Sequence, residues 1–194
     1  MLSHIRDSLN ESIALKSKIV ENNEEILKIE IVANLIIETL KNGNKLLLCG
    51  NGGSASDAQH IAAEFVGRFM HNREALAAIA LTTDTSIITA VANDFGYSHI
   101  FERQINALGR KGDILIALST SGNSENVELA IDAATKKGIK VIGFLGKDGG
   151  RCKELCQHSF IIESSSSARI QELHITIGHI ICALVEDNLV NNNG

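Results

Sequence analysis

Five short apolar runs, each leading into a polar loop, constrain this chain more than any other feature. They are Lys45 to Cys49, Ala77 to Leu81, Asp113 to Ser119, Lys140 to Leu145 and Ser159 to Ile162. Runs this short and this continuously apolar read as strands buried on both faces. Between them the hydrophobic period changes to that of helices. Ile61, Phe65 and Phe69 recur at four-residue spacing, and a second pattern runs from about Asn123 to Lys137 and stops at Gly138. Strands alternating with helices imply an α/β fold built on a five-stranded parallel sheet. Ligands of such sheets bind beyond the C-terminal ends of the strands, near the point where strand order reverses.

Ahead of the first run lie two helical patterns. Leu2 to about Val20 carries Ile5, Leu9 and Ile13, with Leu15 and Ile19 behind them. Glu24 to Leu40 is apolar nearly all round, which predicts burial on more than one side. The chain of 194 residues thus reads as one domain, with an N-terminal helical hairpin over 1–42 and an α/β core over 43–190. The hairpin is expected to touch another copy of the chain. Thr82-Thr83-Asp84 leads into a helix through about Ala92, Asn93 to Tyr97 reads as loop, and Ser98 to Leu108 as helix. Arg151 to Cys156 reads as a short helix, Ala168 to about Leu189 as the last helix, and Asn191 to Gly194 as a frayed tail.

A net charge of −5 with no block of Lys or Arg argues against nucleic acid or an acidic membrane as partner. The N-terminus lacks the pattern of a signal peptide. No unbroken run approaches the roughly 18 apolar residues of a membrane span. Cys49, Cys152, Cys156 and Cys182 form no C-x-x-C pair and read as free thiols of the cytoplasm.

Three loops and helices carry chemistry. Gly50-Asn51-Gly52-Gly53 follows the first strand and opens a helix. Glycines there let backbone approach a ligand, and Ser54 or Ser56 is placed to cap the helix. The stretch fits neither the dinucleotide pattern nor the P-loop. His60 and Glu64, four residues apart, share one helical face and can hold a metal or act as an acid–base pair. Ser119-Thr120-Ser121-Gly122-Asn123-Ser124 sits between the third strand and a helix N-terminus. Its hydroxyls and N–H groups, with a helix dipole behind them, suit a phosphate monoester. The last helix carries Gln171 and His179 near one face, while His174 points elsewhere. Two helices each bearing a pair of N/O donors suit Zn²⁺ or a similar ion, provided the pairs meet.

The ordered set of Gly50 to Glu64, Asn93-Asp94, Ser119 to Ser124, and Ala168-Arg169-Ile170-Gln171-Glu172 with His179 resembles the sugar isomerase (SIS) domain proteins. Among them the chain is most similar to the phosphoheptose isomerases, over essentially its whole length. The resemblance implies a three-layer α/β sandwich, a homotetramer and one Zn²⁺ per subunit. It implies His60, Glu64, Gln171 and His179 as metal ligands. Asn51, Gly52, Gly53, Glu64, Asn93, Asp94, Ser119, Thr120, Ser121, Ser124 and Gln171 are implied to contact a sugar-phosphate substrate. Glu64 and His179 are implied to carry the proton transfers. The implied reaction turns sedoheptulose 7-phosphate into D-glycero-D-manno-heptose 7-phosphate, the first step toward ADP- or GDP-heptose for lipopolysaccharide or capsule. Glu125, beside the phosphate loop, is the one unexpected neighbour. A related class comprises non-catalytic tetrameric SIS proteins that bind the replication initiator. A binder has no need of a carboxylate at 64 or a histidine at 179, and this chain has both.

Overall fold

The computed structural model describes residues 1–191; residues 192–194, most of the expected frayed tail, lie outside it. The five apolar runs form β1 (Leu46–Cys49), β2 (Ala78–Ala80), β3 (Ile114–Ser119), β4 (Lys140–Gly146) and β5 (His158–Ile162). All pair in parallel, in the order β2-β1-β3-β4-β5. Alternate side chains enter opposite layers, as the pleat dictates. Leu46, Leu48, Ile114, Ile116, Leu118 and Phe144 pack beneath α2 (Asn23–Lys41), α3 (Gly53–Val66) and α7 (Ser167–Asn191), with α1 (Leu2–Glu21) outside them. Leu47, Cys49, Leu115, Ala117, Val141 and Leu145 pack beneath α4 (Thr85–Phe95), α5 (Glu102–Leu108) and α6 (Glu125–Lys136). The result is the three-layer sandwich. From β1 the chain moves to β2 on one side, then to β3 on the other. The C-terminal ends of β1 and β3 therefore flank the reversal, and the glycine loop and the serine loop leave the sheet there.

Several local expectations are corrected. Asn93 and Asp94 belong to the last turn of α4 rather than to a loop, because Asp84 caps that helix by accepting from Ile87 N–H at 2.9 Å and Gly96 ends it. The helix expected from Ser98 is a 3-10 turn over Tyr97–His99 followed by α5. α2 is buried on one face only. Ile29, Val32, Ala33, Ile36 and Ile37 point inward, while Ile26, Leu27 and Ile31 stay exposed. In α1 the expected stripe is turned outward: Ile5, Leu9 and Ile13 are 50%, 59% and 61% exposed, and Ser12 and Leu15 face the core. A helix lying on a single layer has only one face to bury. α7 is long and apolar enough, by length and composition, to cross a membrane, although no run in it is unbroken. Here it is a core helix, with Ile170, Leu173, Ile177, Ile181 and Val185 buried against the sheet and its neighbours. All four cysteines are free, and burial pushes the thiols of Cys152 and Cys182 up to about 11 and about 12.

The histidine locked into the core is His174. It is fully buried, its Nε2 lies 3.1 Å from the Leu145 carbonyl, and its Nδ1 has no partner. Burial pushes its pKa down from 6.5 to about 4, against the smaller opposing pull of the Leu145 carbonyl. The unfolded histidine takes a proton near pH 6.5 and the folded one only near 4. Stability is thus fully present above pH 6.5 and is lost as pH falls toward 4, by about 3 kcal/mol from this group. Urea unfolding of the wild type is expected to show that loss. His174→Gln, which keeps a donor for Leu145, should flatten the corresponding part of the pH dependence. An unchanged profile would exclude His174 as its source.

Candidate functional site

The site is built where α3 and α7 run side by side. Gly52 precedes α3 with φ +55°, a backbone conformation that strains residues with a Cβ. The chain turns there directly from β1 into the helix. Gly52, not Ser54 or Ser56, occupies the N-cap, and no side chain caps the helix, because Ser54 is buried in the first turn. The free N–H groups at this end are left for a ligand. Gly53 leaves room for the Gln171 amide from α7, which a Cβ there would displace.

Two turns along α3, three donor atoms converge. His60 Nε2 lies 3.1 Å from Glu64 Oε1 and 3.1 Å from His179 Nε2. The three candidate ligand atoms all lie within 4.8 Å of one another, with His60 exposed and Glu64 and His179 half-buried. Phe69 stacks obliquely on His179, ring centroids 5.5 Å apart. The donor set fits a divalent ion. Two imidazole nitrogens and a carboxylate oxygen are the ligand types of zinc, and spacings near 3 Å approach the edge of a tetrahedron with bonds of about 2 Å. Proton bookkeeping points the same way: one hydrogen on His60 Nε2 has to serve two acceptors, whereas a cation meets all three lone pairs. Gln171, on α7 with His179, lies at the N-terminal end of α3. Its amide packs against Gly53, seven residues before His60. Asp57, three residues before His60, has a buried Oδ2 without a partner. Burial raises its carboxyl pKa, with His60 pulling it down.

The glycine loop and the serine loop meet through a reciprocal amide pair. Asn51 Nδ2 donates to Asn126 Oδ1 at 2.8 Å, and Asn126 Nδ2 donates to Asn51 Oδ1 at 2.9 Å. Tyr97 Oη donates to the same Asn51 oxygen at 2.9 Å. Asn51, Tyr97, Ser98, Ser124, Glu125 and Asn126 line an open cavity of about 470 Å³. Glu125 therefore does border the pocket beside the serine loop. Ser119 Oγ is buried and lies 3.0 Å from Ser124 Oγ and 3.4 Å from Ser121 Oγ, while accepting from Gly122 N–H at 3.1 Å. Ser124 is the N-cap of α6 but does not cap it with its side chain. Thr120 Oγ1 is 3.5 Å from Ser167 Oγ, which ties this loop to the start of α7. Asn93 Nδ2 donates to Asp94 Oδ1 at 2.7 Å on the exposed end of α4, just before Tyr97.

Sequence reasoning missed Asn126 and Tyr97. The Asn51–Asn126 contact spans 75 positions and leaves no local pattern. Tyr97 carried one usable signal: it is the single tyrosine of the chain, beside a polar Asn-Asp pair.

Comparison with known proteins joins these parts. A sequence model of the SIS domain matches residues 9–146. The phosphoheptose isomerase of Clostridium acetobutylicum is 51% identical over 189 residues, covering 97% of this chain and 96% of its own length. This chain belongs to the SIS-domain family, among its phosphoheptose isomerases. Solved structures agree with the fold. The phosphoheptose isomerase of Neisseria gonorrhoeae superposes with a TM-score of 0.89 at 41% identity, over 96% of this chain and 98% of that one. That of Francisella tularensis gives 0.91 at 36% identity, with the same coverage of each chain. Membership makes the chain an enzyme, an aldose–ketose isomerase acting on a sugar phosphate.

Proposed function

We propose that the chain converts sedoheptulose 7-phosphate to D-glycero-D-manno-heptose 7-phosphate through an enediol. The observation that carries this reading is the convergence of His60, Glu64 and His179 within one chain of the phosphoheptose isomerase group. The serine loop, the uncapped start of α6 and the first turn of α3 are offered for the phosphate and hydroxyls, with Asn51, Gly52, Gly53, Ser119, Thr120, Ser121 and Ser124 as contacts. Gln171 serves at the same end, against Gly53, as a substrate contact. Asn93 and Asp94 contribute from the rim beside Tyr97.

The chemistry is a proton transfer between C1 and C2. Glu64 removes a proton from C1, the C–H electrons become the C1–C2 double bond, and the C2 carbonyl oxygen takes a proton from His179. His179 then accepts the O1 proton as the C1 carbonyl forms, and Glu64 returns its proton to C2. Each group ends as it began. His60, Glu64 and His179, with Gln171 as the further ligand of the expected set, would hold a Zn²⁺, and the ion would supply Lewis-acid stabilisation of the charge that develops on oxygen. Glu64 turns Oε1 toward His60, which leaves its other oxygen to act as base.

The protein acts in the cytoplasm as a homotetramer. Outward-facing apolar side chains support assembly: Ile5, Leu9 and Ile13 on α1, and Val66, Met70, Ile180 and Leu184 around the His60–Glu64–His179 cluster. A second copy over α3 and α7 closes the centre against water. The product feeds heptose precursors of lipopolysaccharide or capsule. In D₂O, folded protein should convert sedoheptulose 7-phosphate to the aldose, with deuterium at C2 in the fraction of turnovers in which the proton on Glu64 exchanges with solvent before its return. No aldose from folded protein contradicts the isomerase reading.

A further inference from the structure

Below the cluster lies a buried ion pair that neither the motif pattern nor the proton-transfer chemistry uses. Arg73 and Glu186 are joined at 2.9 Å, with side chains only 7% and 1% exposed. Arg73 sits in the segment after α3, and Glu186 on α7, seven residues or about two turns past His179. The Arg73 guanidinium donates to four backbone carbonyls: Glu64 at 2.8 Å through Nη2, and Phe65 at 2.9 Å, Glu74 at 2.9 Å and Gly67 at 3.5 Å through Nη1. Glu186 accepts from the backbone N–H groups of Phe69, Met70 and His71. His71 is in turn 3.1 Å from Asp187. Burial by itself raises the Glu186 carboxyl pKa, but the three N–H donors and Arg73 outweigh it and hold the carboxyl below its ordinary value.

The targets of these bonds are specific. Arg73 grips the carbonyl of Glu64 itself, at the end of α3 where carbonyls lack intrahelical partners. Glu186 grips the N–H of Phe69, whose ring rests on His179. One pair thus fixes the backbone of one member of the cluster and the packing partner of another, from opposite helices. A guanidinium is needed, because an ammonium cannot span four carbonyls and a carboxylate at once.

We propose that Arg73 and Glu186 are positioning residues for the His60–Glu64–His179 centre, setting its metal affinity and turnover. The proposal rests on reading that cluster as the reacting centre. Groups that orient ligands from behind change metal affinity or activity by about 10–100-fold when lost. The bonds of the pair run to the backbone of residues 64–74 rather than to the serine and glycine loops, so substrate affinity should be spared.

The test compares Glu186→Gln and Arg73→Lys with Asp113→Asn. Asp113 is an equally buried carboxylate, paired with Lys45 at 2.6 Å and accepting from Arg110 N–H at 2.8 Å, at the opposite end of the sheet. Zinc affinity is measured by competition with a chromophoric chelator, folding by circular dichroism, and kcat and KM on sedoheptulose 7-phosphate. Glu186→Gln and Arg73→Lys should lose zinc affinity and kcat by about tenfold or more with KM within about twofold. Asp113→Asn should lower Tm while keeping both. Variants that lose only Tm, in step with Asp113→Asn, overturn the proposal. Where Glu186→Gln fails to fold, Arg73→Lys decides, since it keeps the charge in place. Wild-type protein that binds no zinc refutes the metal reading alone, and the kcat comparison then judges the positioning role.

Discussion

Glu64→Gln is expected to lower kcat for sedoheptulose 7-phosphate by about 10²–10⁴-fold, with the protein folded and KM little changed. The substitution keeps the size of the side chain and an oxygen that can face His60, so the packing of α3 on α7 survives. What it removes is the capacity to take a proton from carbon. The amide is no base at neutral pH, and the other two groups that converge on this point are imidazoles. In the proposed mechanism both imidazoles are metal ligands and His179 also serves the substrate oxygens, so neither replaces the base at carbon. A residual rate within threefold of wild type would remove Glu64 as the base. The role would then pass to Asp57, whose raised pKa and unpartnered buried oxygen make it the nearest further carboxyl on the same helix.

The parts of this molecule that were legible in the sequence are those set by local period and composition. Ile114 to Leu118 reads as a strand because five apolar residues in a row fit only a position covered on both faces, and β3 is the fully buried centre of the sheet. His60 and Glu64 read as a pair because one helical turn separates them, and they do meet at 3.1 Å. Helical phase was read correctly for Gln171 and His179, but phase is not height. The Gln171 amide packs against Gly53, and His179 meets His60. The direction of the α1 stripe was illegible for a related reason. Periodicity identifies a face without saying whether it meets the core or another copy.

Contacts across long separations were beyond reach. His60 and His179 are 119 positions apart, and only the side-by-side course of α3 and α7 joins them. The same holds for Asn51 with Asn126. Arg73 and Glu186 had a partial signal: a carboxylate in the apolar stretch Ile181 to Val190, in phase with His179, is costly unless something pairs with it. Capping propensity alone points to Ser54 or Ser56 for the N-cap of α3, whereas the sharp turn out of β1 demands a glycine there, Gly52.

The second large effect expected is on metal dependence. His60 offers Nε2 to both other members of the cluster, so its removal separates them from any shared ion. His60→Ala should weaken zinc binding by more than the roughly 10–100-fold typical of residues that only support a ligand. Its turnover should not recover with equimolar zinc. The decisive experiment is conversion of sedoheptulose 7-phosphate by wild type and His60→Ala, each stripped with chelator and then titrated with Zn²⁺. Stripped wild type should be nearly inactive and recover at one zinc per subunit, while His60→Ala stays inactive there. Full turnover by stripped wild type, or none from folded protein at any zinc concentration, would contradict a zinc-dependent isomerase centred on His60, Glu64 and His179.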